Sequence, residues 1–414
     1  MRFDVWNMAR RVLQARVISR DHKTGTGDMT NKIVAGLLVV AGVAVSAAGR
    51  RANQLVAVDL GALGGYSSEA SAVNAKGLVV GRSSIDGDAS TYHAFAWSPE
   101  SGMTDLGTLG GGSQSWANLV TDSGVIAGYG YLPGATAYHA FAWTAANGMV
   151  DLGTLGGSSS APSAINKKGT VVGYSYVAND AAYHAFLWNR RQGMIDLGTL
   201  GGRYSTAYAI NDNGVVVGTS AIAQDDMSHA FLWTRETGMV DLGTLGGNAS
   251  WAHAVSDDGL VVGNSQTSSG QNHAFAWTRH SGMIDIGRPG LDSWAEKIST
   301  NREAIGQGYT PSGTRHGFRW TRKDGAIDLG TLGGDSSYAT GVNDRGIVVG
   351  GSWTFANLTW RAFTWSPAAG MQPLDAPGTG RSQASAINDN YIVGYSCDDF
   401  DFVCHATLWK PAPR

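Results

Sequence analysis

One phrase returns eight times along this chain, and its period restricts the fold more than any other feature. His opens it at His93, His139, His184, His229, His273, His316 and His405, with Arg361 once in its place. A Trp closes it four residues later each time, at Trp97, Trp143, Trp188, Trp233, Trp277, Trp320, Trp365 and Trp409. The openings stand 46, 45, 45, 44, 43, 45 and 44 residues apart. A fixed period of this size marks a repeat architecture, in which one unit cannot bury its apolar face alone and neighbours must stack. One domain of stacked units over residues 48–414 is therefore expected, rather than several ordinary domains.

Each unit reads as four short strands. In the fourth copy they are Ala207-Tyr-Ala-Ile-Asn211, Gly214-Val-Val-Val-Gly-Thr-Ser220, His229-Ala-Phe-Leu-Trp233 and Gly238-Met-Val-Asp-Leu-Gly243. Polar links ending in Gly, such as Asp212-Asn213-Gly214 and Asp257-Asp258-Gly259, separate β-branched runs and read as hairpin turns. Alternation within His-Ala-Phe-x-Trp puts His, Phe and Trp on one strand face and small residues on the other. Gly supplies 58 residues, about twice its usual share of roughly 7%, and charged residues are 15% against a usual 25% or so. Short strands joined by tight Gly turns fit that balance; a helical or disordered chain does not.

The two ends are complementary. Three-strand sets occur eight times, the last ending at Trp409, and the Asp-Leu-Gly strand also occurs eight times, counting a degenerate Pro373-Leu374-Asp375. The first such strand, Leu55–Leu63, precedes any full set, and the last set has none after it. An opening strand that completes the closing blade removes the exposed edges that invite aggregation. The expectation is an all-β, eight-bladed β-propeller of four-stranded antiparallel blades, its ring closed by the N-terminal strand joining the C-terminal blade. An open β-solenoid is the alternative, but it does not require complementary ends.

The recurring His-Ala-Phe and Asp-Leu-Gly-Thr-Leu-Gly-Gly units, over about residues 54–409, resemble the bacterial extracellular repeat family called HAF. The resemblance implies export and repetition; it implies no activity and no set of functional residues. Arg361, His316-Gly317 and His405-Ala-Thr depart from the tripeptide, so those three blades are expected to be slightly altered.

The amino end differs in kind. Ile33 to Ala48 is an uncharged apolar run after Lys32, ending in Val45-Ser46-Ala47. It reads as a secretory signal within residues 1–47, cleaved after about Ala47, with translation starting at Met29. The run is short for a membrane span, which needs about 20 residues, so no stable membrane insertion is expected after cleavage, and the product is secreted or periplasmic. Loss of residues 1–47 removes seven Lys/Arg and three Asp, leaving 23 basic against 30 acidic residues, a net charge of −7. A nucleic-acid partner needs a basic face and is not expected. Cys397 and Cys404, the two cysteines, are expected to pair as a disulfide stapling a loop between two strands; as metal ligands they lack zinc-site spacing.

Repetition sorts the chemistry. A single active site is asymmetric, so residues present in every blade are expected to serve the blade: the motif His as a hydrogen-bonded structural residue, the Asp of Asp-Leu-Gly as an inter-blade or turn acceptor, the linker Gly pairs as sharp steps between blades. Ser68, Ser115, Ser160, Ser205, Ser250, Ser293, Ser337 and Ser382 hold one equivalent position and read as turn caps. No catalytic, metal or cofactor constellation stands out. Positions that vary inside constant surroundings are the informative ones. Directly after that Ser come Glu69, Trp116, Ala161, Thr206, Trp251, Trp294, Tyr338 and Gln383; two further on come Ser71, Asn118, Ser163, Tyr208, His253, Glu296, Thr340 and Ser385. Both sets fall on the innermost strand and are expected to ring one mouth of the channel. From them Trp116, Trp251, Trp294, Tyr338, Tyr208, His253, Glu69, Asn118 and Glu296 form the candidate ligand site. Aromatic faces among hydrogen-bonding groups suit a sugar ring or an extended peptide, and equally could fill a wide channel mouth. The loops before each His, at Ile85–Tyr92, Leu132–Tyr138, Val177–Tyr183 and Ala221–Ser228, with Tyr92, Tyr138, Tyr183 and Trp360, extend the same face.

The leading expectation is a non-enzymatic, monomeric binding module, without cofactor, whose partner is a glycan or an extracellular protein. Two alternatives stand beside it: a hydrolase or lyase using Glu69 and Glu296 with His253, and a structural surface protein.

Overall fold

The computed structural model describes residues 55–85, 91–223, 227–287, 290–398 and 403–412. The expected leader, its cleavage point and Met29 lie outside the described residues. Among these residues, strands assemble into eight four-stranded antiparallel sheets. The first blade runs Gly64–Val73, Val79–Ile85, Tyr92–Ser98 and Gly102–Asp105 in consecutive hairpins, and the next six repeat that order. The eighth takes Ser382–Ile387, Ile392–Cys397 and Cys404–Pro411, then receives its outer strand from the start of the chain, Leu55–Asp59. Leu55 faces Pro411 and Asp59 faces Thr407 in register. This is the expected eight-bladed propeller with its expected closure. The first strand of each blade touches its counterparts in the neighbouring blades, so these strands ring the axis. No helix among the described residues is long and apolar enough to cross a membrane.

Alternation in the His-Ala-Phe-x-Trp strand builds the cores between blades. Phe95 and Trp97 pack back on Val393, Ala406 and Leu408 of the eighth blade, while Ala94 and Ala96 pack forward on Ala117, Ile126 and Phe141 of the second. Eight such clusters occur, one at each blade boundary, and the cluster between blades seven and eight includes Leu55 and Ala57 of the closing strand.

The repeated polar residues hold this frame. Each motif His gives Nδ1 to the Asp of its own Asp-Leu-Gly strand, as in His184–Asp196 at 2.8 Å, and the closing pair His405–Asp59 does so at 2.9 Å. The same Asp accepts the N–H of the Gly two residues on, for example Gly198 at 2.7 Å. The repeated Ser does more than cap a turn. Ser250 Oγ accepts the Ala230 N–H of the preceding blade at 2.8 Å and donates to Gly243 O in the linker at 2.6 Å, so it bolts two blades together. All eight serines receive that N–H, Ser68 from Ala406 across the closure. At the hairpin end, Asn211 Nδ2 donates to Ser256 O at 2.9 Å and Asn388 Nδ2 to Asn74 O at 2.8 Å, linking turn to turn around the axis.

The three departures from the tripeptide have local consequences. Arg361, facing no Asp, sends Nη2 to Thr379 O at 2.6 Å. In blade six, Gly317 replaces the motif Ala close against Ala339 and Leu329, and Arg319, buried, pairs with Glu303 at 2.6 Å. In blade eight, Thr407 replaces Phe and its Oγ1 meets Ser396 Oγ at 2.8 Å. Cys397 and Cys404 face each other in register and are bonded, closing the loop between the last two strands.

Candidate functional site

Every inner strand carries a β-bulge at one position, and the bulged residues are the second variable set: Ser71, Asn118, Ser163, Tyr208, His253, Glu296, Thr340 and Ser385. A bulge inserts a residue without a partner and re-aims its side chain. Paired with the residue just before each bulge is always the Gly of Val-Val-Gly or its equivalent. At Gly81, Gly128, Gly173, Gly218, Gly263, Gly306, Gly350 and Gly394 an added Cβ would lie only 1.8–2.0 Å from a carbonyl oxygen of the inner strand. That repeated Gly is therefore fixed by close approach, and the bulge it permits points eight variable side chains along the channel wall.

Four consecutive blades turn those positions into a cavity. Ser163, Tyr208, His253, Trp294, Glu296, Lys297, Gln307 and Arg315 line a space of about 550 Å³. Of the candidate site residues it gathers Tyr208, His253, Trp294 and Glu296. The Tyr208 and His253 rings sit 5.4 Å apart across a blade boundary, and His253 Nε2 meets Asn264 Oδ1 at 2.8 Å. Burial lowers the His253 pKa, with the Asn264 bond opposing it. Glu296 Oε1 accepts from Gln307 Nε2 at 2.9 Å, and burial pushes its carboxyl above the usual range against the pull of Lys297 and Arg315. The Arg315 guanidinium lies over Trp294, Tyr309 and Tyr338, 5.6, 5.5 and 5.3 Å from the ring centres. Tyr338 thus adjoins the cavity through Arg315.

The remaining candidates lie elsewhere on the wall. Glu69 pairs with Arg82 at 2.8 Å, and Arg82 lies over Tyr92. Trp116 stacks on Tyr129 at 4.9 Å and opens an aromatic belt through Tyr131 and Tyr138 to Tyr174, Tyr176, Tyr183 and Tyr204. Trp251 is half-buried opposite Asn264, and Asn118 is the bulge residue of blade two. The pre-His loops share an end of the molecule with the inter-blade linkers, as the Leu155–Val177 bridge shows; 86–90 and 224–226 lie outside the described residues. Trp360 of that set gives Nε1 to Gln383 at 2.6 Å, beside exposed Phe355 and Leu358.

Sequence reasoning missed Lys297, Gln307 and Arg315. Arg315 was findable: it fills the slot before the motif His, where three blades carry Tyr and one Trp. Gln307 had a weaker signal, since it faces Trp294 across a hairpin. Among the described residues no group of three His, Cys, Asp or Glu is placed to hold a metal ion.

No family model matches the chain, and no curated protein does. Solved structures share its fold. Dipeptidyl peptidase 4 of Porphyromonas gingivalis superposes with a TM-score of 0.53 at 9% identity, over 82% of this chain and 57% of that one. A structure from an analysis of two prolyl endopeptidases gives 0.52 at 13%, over 80% and 52%. The propeller domain of the Pyrococcus furiosus trilobed protease gives 0.49 at 11%, over 75% and 99%. The chain spans little more than half the length of the first two, and at these identities the likeness shows a propeller fold alone.

Proposed function

We propose that this chain is an exported binding module that recognises a glycan through the channel cavity of blades three to six. The observation that supports this reading is the cavity itself: about 550 Å³, lined where the repeats diverge, with the Tyr208 and Trp294 rings beside His253, Gln307 and Arg315. Apolar ring faces set among a few fixed hydrogen-bonding groups suit the two faces and polar rim of a sugar. The apolar run at Ile33–Ala48 and the Cys397–Cys404 disulfide support export. A glycan array probed with the purified chain, beside folded Trp294→Ala and Tyr208→Ala variants, tests the reading. Binding that both variants lose is expected. Binding that both retain, or no glycan bound while a protein ligand is, would overturn it.

One observation favours a hydrolase instead. Burial keeps the Glu296 carboxyl above its ordinary pKa, as a proton donor requires. Glycoside cleavage needs a second carboxylate about 5–9.5 Å away. Glu69, the expected partner, is tied to Arg82, and Glu296 is the one carboxylate among the residues lining the cavity. Shortened products from an array-positive glycan, abolished by Glu296→Gln, would replace the binding reading with this one.

A further inference from the structure

We infer that the glycan is acidic, and that Arg315 with Lys297 receives its carboxylate; this rests on the glycan reading above. The first support is what Arg315 lacks. Arg82, Arg319 and Arg345 each hold a carboxylate, Glu69 at 2.8 Å, Glu303 at 2.6 Å and Asp389 at 3.5 Å, and Arg302 holds Asp258. Among the described residues no carboxylate pairs with Arg315. A guanidinium has five N–H donors in one plane. Here Nη1 reaches Gln307 at 3.5 Å and Nη2 reaches Tyr309 at 3.4 Å, both at the long limit of a hydrogen bond, and Nε has no partner.

The second support is how firmly it is held. Rings from two blades, Trp294 and Tyr309 of the sixth and Tyr338 of the seventh, lie against the guanidinium. That packing fixes the plane of the fork before any ligand arrives, so less freedom is lost when a planar carboxylate takes two of its N–H groups. The third is charge. Lys297 and Arg315 line the cavity against Glu296 alone, so the lining is net positive on a chain of net charge −3. A recessed positive site with low-dielectric walls concentrates anions. The aromatic wall then takes the sugar ring while the fork takes the acid group.

The test is titration calorimetry of the full chain with oligomers of galacturonate, guluronate and glucuronate, each beside its carboxyl-reduced counterpart. At least one acid is expected to bind about tenfold or more tightly than its reduced form. Arg315→Gln should remove most of that preference, lowering the acid's affinity far more than the reduced form's. Lys297→Gln, on an exposed side chain that leaves the ring stack intact, should remove part of it. Acid and reduced forms binding alike would overturn the carboxylate assignment and leave the glycan reading standing. A preference that survives both substitutions would overturn the assignment to Arg315 and Lys297. If no uronate binds while neutral array glycans do, the inference fails alone; if no sugar binds at all, both fail.

Discussion

At the residue scale, Gly263 and Gly259 stand four positions apart and require glycine for different reasons. Gly263 pairs with the residue just before the bulge at His253, and a Cβ there would meet Trp251 O at 1.9 Å; Gly259 turns a hairpin at φ +87° with open space around it. Gly263→Ala must displace two paired strands and is expected to cost about 3 kcal/mol or more. Gly259→Ala bears only left-handed backbone strain, about 1 kcal/mol. Urea midpoints of the two variants compare them directly, and equal costs would mean the bulge is not what fixes the Val-Val-Gly glycine. Ser250→Ala leaves the buried Ala230 N–H and Gly243 O without their partner, and is expected to lose about 1–3 kcal/mol in the same assay. Legibility divides along this line. That the repeated His, Asp and Ser serve the blade was readable, because a residue present in seven or eight of the copies cannot build one asymmetric site. That Ser crosses to the next blade was not, because all eight copies carry it; the His–Asp pairing left one trace, in blade seven, where Arg361 and Pro373 replace both members together. The bulge was hidden for the same reason: all eight inner strands have it.

At the scale of the element, the closing blade joins the two ends of the chain by one side-chain pair that responds to pH. The Asp59 bond raises the His405 pKa, with burial opposing, and the bond from His405 lowers that of Asp59, again against burial. The folded blade therefore binds the His405 proton more tightly than the unfolded chain does. That contribution is complete below the ordinary value of 6.5 and is lost as pH rises through the raised one. The Asp59 contribution is complete above 3.8 and is lost as pH falls through the lowered value. Asp59→Asn should thus destabilise most near pH 5 and distinctly less near pH 8.5, about two units above the ordinary His value. Urea unfolding of parent and variant at the two pH values measures the difference, and a cost independent of pH would show that the charges of the Asp59–His405 pair contribute nothing to the closure. The disulfide belongs to the same blade. Reduction frees a short loop in the unfolded chain and is expected to lower stability by about 2 kcal/mol, read as the midpoint shift with and without reductant.

At the scale of the whole molecule, fold and site differ in how far the sequence reveals them. Period, strand patterning and complementary ends were enough for eight blades and a closed ring, since each follows from local spacing. Which blades share a cavity depends on side chains meeting across a boundary, as Tyr208 meets His253 and Arg315 meets Tyr338, and spacing along one chain carries none of that. Closure makes a further claim on the ring. Leu55 and Ala57 lie in the core between blades seven and eight, Asp59 holds His405, and the Cys404–Pro411 strand has no other outer neighbour. A chain lacking residues 55–59 keeps seven complete blades but leaves that strand with unpaired N–H and C=O groups along its length, a template for pairing with a second copy. It should unfold at lower urea than the parent and self-associate, with size-exclusion chromatography showing dimers or larger species as concentration rises. Added peptide spanning 55–63 should reverse both effects, because it restores the same edge and the same core contacts. A truncated chain that stayed monomeric with an unshifted midpoint would mean that the eight inter-blade cores hold the ring without its closing strand.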